Sequence, residues 1–289
     1  MKRHLSLLSL FTLLLAVTAA AGAPVDGTFA LQGGTPRATA YLRSTQIGGD
    51  SLNRHLDTWM TPAGSPTVIR SYQIDMTKYL HMIAVSDDFR TFLHVHPTLG
   101  ADGHFLLDQR FPSPGRYHIY IDAHPQDLGQ QAFRFDVDFG APAGPTTRDL
   151  SETGTASAAG PYTVSISSDT LSVQSESRIV VHILKGDRPA ADLHPYLGAL
   201  AHAVFINAND LSYVHVHPLP LPASGSTGNE PTTMDSGDRP MPPPLPSSMI
   251  SSPNMLLHVA LREPGTYKLW LQFRGGSNLY VAPFILRAR

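Results

Sequence analysis

Six histidines fall into two groups with one spacing. His81 is followed 13 and 15 residues later by His94 and His96, and His202 by His215 and His217 at the same intervals. Each group closes on His-Val-His-Pro, at 94–97 and 215–218. Neutral imidazole is a borderline ligand that suits Zn(II) and Cu(II), or Cu(I) with a softer partner. Three imidazoles brought to one point are therefore a candidate metal site. The competing reading is a hydrogen-bonded histidine cluster that only fixes the rim of a fold.

Strand geometry can bring the rings together. Residues two apart on a strand share a face, so His94 and His96 project together, as do His215 and His217. A turn centred on Asp87-Asp88 places His81 directly across from His94, and one centred on Ala208-Asn209 places His202 across from His215. Cross-strand neighbours have Cβ atoms about 4.5–5.5 Å apart, within reach of one ion. The expected ligands are His81, His94 and His96 in one repeat and His202, His215 and His217 in the other.

The elements around these residues read as strands throughout. The first repeat shows candidate strands at 67–74, 80–85, 91–96, 105–111, 117–122 and 133–139. The second shows seven, at 162–167, 178–184, 201–206, 213–217, 255–261, 267–273 and 279–286, the number a β-sandwich needs. Pro114-Gly115-Arg116-Tyr117 and Pro264-Gly265-Thr266-Tyr267 repeat a turn whose tyrosine tethers a sandwich corner. The expectation is an all-β protein of two tandem antiparallel β-sandwich domains, which the resemblance given below implies are immunoglobulin/cupredoxin-like.

Residues 1–23 read as a secretory signal: Lys2 and Arg3, an apolar run from Leu5 to Val17, then small residues. Residues 24–140 form the first sandwich, 141–161 a linker, and 162–289 the second sandwich with a Pro-rich insertion at 218–253. A formal net charge of −2 carries no polybasic footprint for nucleic acid. Nothing after the signal is apolar enough to span a membrane. The expected location is secreted or periplasmic. With no cysteine in 289 residues, disulfides, thiolate ligands and a blue-copper centre are excluded.

Other candidates are weaker. His118, Tyr120, Asp122 and His124 alternate onto one strand face, matched by Lys268, Trp270, Gln272 and Arg274, and the cationic replacements predict a solvent-exposed face. Asp122 or His124 is a conceivable fourth ligand. Met234, Met241, Met249 and Met255 are either soft Cu(I) ligands or incidental, and Met82 points to the core. His104, His182, His194 and His258 default to structural or surface roles, with His258 the best auxiliary.

The lead-in Asp192-Leu193-His194-Pro195-Tyr196-Leu197-Gly198-Ala199 before His202, with Tyr213-Val214-His215-Val216-His217-Pro218, resembles a signature of exported bacterial proteins associated with heavy-metal, especially copper, handling. The first copy resembles it without the Pro-Tyr-Leu-Gly-Ala lead-in. The resemblance implies a cupredoxin- or immunoglobulin-like sandwich and no defined activity.

The functional expectation is an exported protein that sequesters or hands on copper, alternatively zinc, through a three-histidine site in each repeat. Its partners would be the metal ion and another exported metal-handling protein. One alternative is a non-catalytic adhesion or partner-binding module with structural histidines. Another is a copper or zinc metalloenzyme, although Asp87, Asp88 and Asp210 sit in the turns, away from the triads, and no recognised hydrolase motif occurs.

Overall fold

The computed structural model describes residues 22–140, 144, 146–151, 154–221 and 243–289. Among them every regular element is a strand. The expected signal lies outside the described residues up to position 21, as does 222–242 of the Pro-rich insertion.

The first sandwich pairs an outer sheet built on Ala38–Gln46, Asn53–Pro62 and Phe105–Arg110 with an inner sheet. The inner sheet runs Gln131–Phe139, Gly115–Pro125, Leu80–Ser86, Phe92–Val95. The second sandwich repeats this plan. Its outer sheet holds Ala156–Ala159, Tyr162–Ile166, Ser177–Lys185 and Asn254–Val259. Its inner sheet runs Asn278–Ala288, Gly265–Gly275, His202–Asn207, Tyr213–Val216. Two tandem β-sandwiches are thus present. Pairing within the sheets is antiparallel except where Thr170–Leu171 lies parallel to the last strand.

Several expectations shift. Only Tyr72–Gln73 of the 67–74 stretch is a strand. Ala156–Ala159, in the 141–161 stretch read as linker, pairs with Tyr162–Ile166. The tyrosine corners form as expected. Tyr117 donates to the Ser113 carbonyl at 3.0 Å and Tyr267 to that of Glu263 at 2.7 Å. The preceding Gly115 and Gly265 take φ of 129° and 144°, a region that disfavours a side chain.

Alternation along the inner strands assigns alternate residues to different cores. Leu80, Met82 and Ala84 face the first core with Leu56, Met60 and Phe105. Ala203, Phe205 and Leu269 face the second with Val164, Ile179 and Leu257. The residues between them enter a third apolar cluster: Ile83, Val85 and Tyr120 from the first sandwich, Val204, Ile206, Tyr213 and Trp270 from the second. The two inner sheets therefore pack on each other and are buried on both faces, which is why Leu80–Ser86 and His202–Asn207 are buried at every position.

The face expected to be solvent-exposed is this seam. His118, Tyr120, Asp122, Lys268, Trp270 and Gln272 are all buried. Lys268 tolerates burial because its Nζ donates to the Asp149 carbonyl at 2.9 Å, and His118 because it lies between Asp87 and Asp136 at 2.9 and 2.7 Å. The sequence could not show which surface covers the cations. Aromatic stacking joins the halves, Tyr120 on Tyr213 at 5.0 Å and Phe92 on Trp270 at 5.4 Å between ring centroids.

Trp270→Ala would leave a void against Phe89 and Phe92. A loss of about 3–5 kcal/mol is expected from guanidinium unfolding curves. A loss near zero would show that the seam is not packed in solution.

Candidate metal centre

Each triad is built on a hairpin. The strands Leu80–Ser86 and Phe92–Val95 pair with Ile83 opposite His94, and His202–Asn207 and Tyr213–Val216 with Val204 opposite His215. The register is thus displaced by two residues from the expected one, which set His81 opposite His94 and His202 opposite His215. The cause is the turn: Ser86 N–H bonds the Thr91 carbonyl and Asn207 N–H that of Ser212, each closing a four-residue loop. A slip of two keeps side chains on the same face, so the triads survive the correction.

In the first triad, His81 Nδ1 lies 3.0 Å from His94 Nε2 and 3.3 Å from His96 Nε2, and His94 Nε2 lies 3.1 Å from His96 Nε2. In the second, His202 Nδ1 lies 3.3 Å from His215 Nε2 and 3.1 Å from His217 Nε2. Two nitrogens bound at about 2.0–2.1 Å to one tetrahedral ion stand about 3.4 Å apart. The three edges of the first triad and the two edges from His202 in the second come within a few tenths of an ångström of that span.

The triads are not separate. They meet across the seam, with ring centroids 4.9 Å apart for His94 and His202 and 5.2 Å for His81 and His215. Ligand atoms of His81, His94, His202 and His215 all lie within 4.8 Å of one another, so these four buried histidines can hold a metal ion. His96 and His217 flank them.

The outer ring nitrogens decide what the inner ones present. His94 Nδ1–H donates to Gln272 Oε1 at 2.8 Å, and His202 Nε2–H to the Tyr196 carbonyl at 3.0 Å. His81 Nε2 faces the Asp75 carbonyl at 3.5 Å, and His215 Nδ1 faces Asp122 Oδ2 at 3.5 Å. A ring whose N–H turns outward to an acceptor turns its other nitrogen inward as a bare lone pair. With the His81 N–H turned outward, His81 Nδ1 and His94 Nε2 would both present lone pairs 3.0 Å apart, a spacing that suits two ligands of one ion; with the N–H turned inward the same pair is a plain hydrogen bond.

Two of these outer partners cross the seam. Gln272 of the second sandwich orients His94 of the first, and Asp122 of the first supports His215 of the second. Asp122 also accepts from Gln130 Nε2 and from the Tyr213 hydroxyl. It is an outer partner, not the fourth ligand it was conceived to be.

The two carbonyl partners come from a repeated loop. Asp75 and Lys78 exchange both backbone hydrogen bonds, as do Tyr196 and Ala199, and Met76 and Leu197 sit left-handed at φ 54° and 52°. Asp75, Tyr196 and Gln272 were missed by sequence reasoning. The offset of 121 residues that links the triads also links Asp75 to Tyr196 and would have found the loop, but nothing in the side chains flags it.

The remaining candidates lie elsewhere. His258 pairs with Glu176, His104 with Asp57, His182 with Asn254 and His194 with the Met249 carbonyl. His124 Nε2 lies 3.9 Å from Asp75 Oδ2. Met82 and Met255 are core residues and Met249 packs on the second core, while Met234 and Met241 fall outside the described residues.

Burial disfavours the charged form of these rings. It is the main cause that holds His81, His94 and His217 well below the usual imidazole range, with neighbouring imidazoles adding to it. The same causes bring His96 down to about 4, with Lys78 contributing, and His202 to about 3. Burial raises the Asp75 carboxyl, whose Oδ1 has no hydrogen-bond partner.

Fold and site together define a class: two β-sandwiches clasping a buried cluster of imidazoles between their inner sheets. The chain belongs to the family described as a domain of unknown function, DUF8832, which matches residues 52–140 and 156–289. No curated protein matches it.

Lowered imidazole values fix the sign of the acid response. Above about pH 6.5 these rings are neutral folded or unfolded; below it the unfolded chain takes protons first, so stability falls with pH. The metal-free protein should lose about 1.4 kcal/mol per pH unit for each such histidine, down to the folded values near 4 and 3 for His96 and His202. Urea midpoints at pH 7.5 and 5 test this, and a six-histidine-to-Gln variant should lose most of the slope.

Proposed function

We propose that this is an exported metal-binding protein that holds copper, ahead of zinc, at the histidine seam, for sequestration or handover to another exported metal-handling protein. The reading is carried by the convergence of His81, His94, His202 and His215, four buried histidines whose ligand atoms all lie within 4.8 Å of one another.

Copper is favoured by the surroundings. A cavity of about 120 Å³ beside the second triad is lined by His217, Met76, Leu200 and Leu245, so a soft thioether stands near the nitrogen ligands. Export is supported by the signal-like start of the chain and by the resemblance of its histidine motif to those of exported copper-associated proteins. Among the described residues no helix is long and apolar enough to cross a membrane.

Binding is a better reading than catalysis. Carboxylates do approach the triads, at His81 and His215, but they face the outer ring nitrogens. From there they orient ligands and stand on the far side from a metal-bound water.

Titrating the mature chain with Cu(II), Cu(I) and Zn(II) is the test. Binding at least 100-fold tighter than to the six-histidine-to-Gln variant is expected. Equal binding by both proteins would remove the metal reading and leave a structural cluster. In the same assay Gln272→Leu and Asp122→Asn should each weaken binding about 10–100-fold, the usual cost of losing an outer-sphere partner.

A further inference from the structure

The centre contains two three-nitrogen triangles and two buried carboxylates, and these match one to one. Asp75 Oδ2 lies 3.8 Å from His81 Nε2, behind the first triangle. Asp122 Oδ2 lies 3.5 Å from His215 Nδ1, behind the second. Asp75 and Asp122 are 4% and 1% exposed, and so cannot be neutralised by solvent ions. Lys78, close enough to act on His96, is half-buried and partly screened by water.

Geometry separates two modes of loading. One ion shared by His81, His94, His202 and His215 would gather nitrogens that lie within 4.8 Å of one another, against a span of about 3.4 Å between two nitrogens on one ion. One ion per triad needs little movement, because all three edges of the first triad measure 3.0–3.3 Å and the two edges from His202 in the second measure 3.3 and 3.1 Å. Charge then selects the oxidation state. With both carboxylates ionised, two monovalent ions are balanced, whereas two divalent ions would bring four positive charges against two. A three-nitrogen set also suits the low coordination number of Cu(I).

We propose that the seam is a dinuclear cuprous centre, taking one Cu(I) on His81, His94 and His96 and a second on His202, His215 and His217, each balanced by the carboxylate behind its triangle. This rests on the metal-binding reading above and specifies its stoichiometry and oxidation state.

The test is anaerobic titration of the full mature chain with Cu(I), competed by a cuprous chelator, with copper per chain counted by elemental analysis. Two Cu(I) per wild-type chain are expected, and one each in the triple variants H81Q/H94Q/H96Q and H202Q/H215Q/H217Q. Circular dichroism of each variant confirms that it is folded. Asp75→Asn and Asp122→Asn should each weaken one of the two ions at least 10-fold and leave the other within threefold. One ion in the wild type and none in either triple variant would overturn the dinuclear assignment but keep the metal-binding reading. Two Zn(II) bound with no Cu(I) would overturn the charge argument in the same way. No ion of any kind would remove both.

Discussion

Five imidazoles removed from water at one seam, with His96 half-buried beside them, are the constraint on which the rest of the structure depends. An imidazole tolerates burial when its N–H has an acceptor and its lone pair has something positive to meet. Here the acceptors are supplied with care: two carbonyls from a repeated left-handed loop, an amide and a carboxylate. The inner nitrogens have only one another. The fold has given four of the six rings an outward partner and directed their inward halves at a common point.

This arrangement makes the two sandwiches interdependent. Gln272 and Asp122 each orient a ring in the opposite domain, so each triad takes an outer partner from the other sandwich. The same inner strands that carry the histidines also carry Ile83, Val85, Val204 and Ile206 into the apolar part of the seam. Hydrophobic burial there supplies the association that positions the polar cluster. In return, an ion held at the seam would stabilise the packed form over the opened one by mass action. The pseudo-symmetry is one of backbone more than of side chains, since Asp75 and Tyr196 perform one role through their carbonyls.

Much of this was legible in the sequence. The constant histidine spacing and the period of two placed all six rings on the correct strand faces, and the alternating strands with their Pro-Gly-x-Tyr corners specified two β-sandwiches. Those inferences are local, because pleat and turn chemistry depend on near neighbours. Even a register wrong by two left them standing, because a slip of two preserves the face. The near-identity of the two His-Val-His-Pro segments likewise made the repeat readable without any contact map.

What the tertiary structure decided is how the halves meet. A face carrying Lys268 and His118 reads as solvated on charge alone, and only the packed seam shows Asp149, Asp87 and Asp136 waiting for those groups. The fusion of two triads into one cluster, and the crossing of Gln272 and Asp122 to the opposite hairpins, depend on a rigid-body docking that no periodicity encodes. The carbonyls of Asp75 and Tyr196 are invisible to sequence for a simpler reason. Every residue has one, and only the fold decides which carbonyl stands behind a histidine.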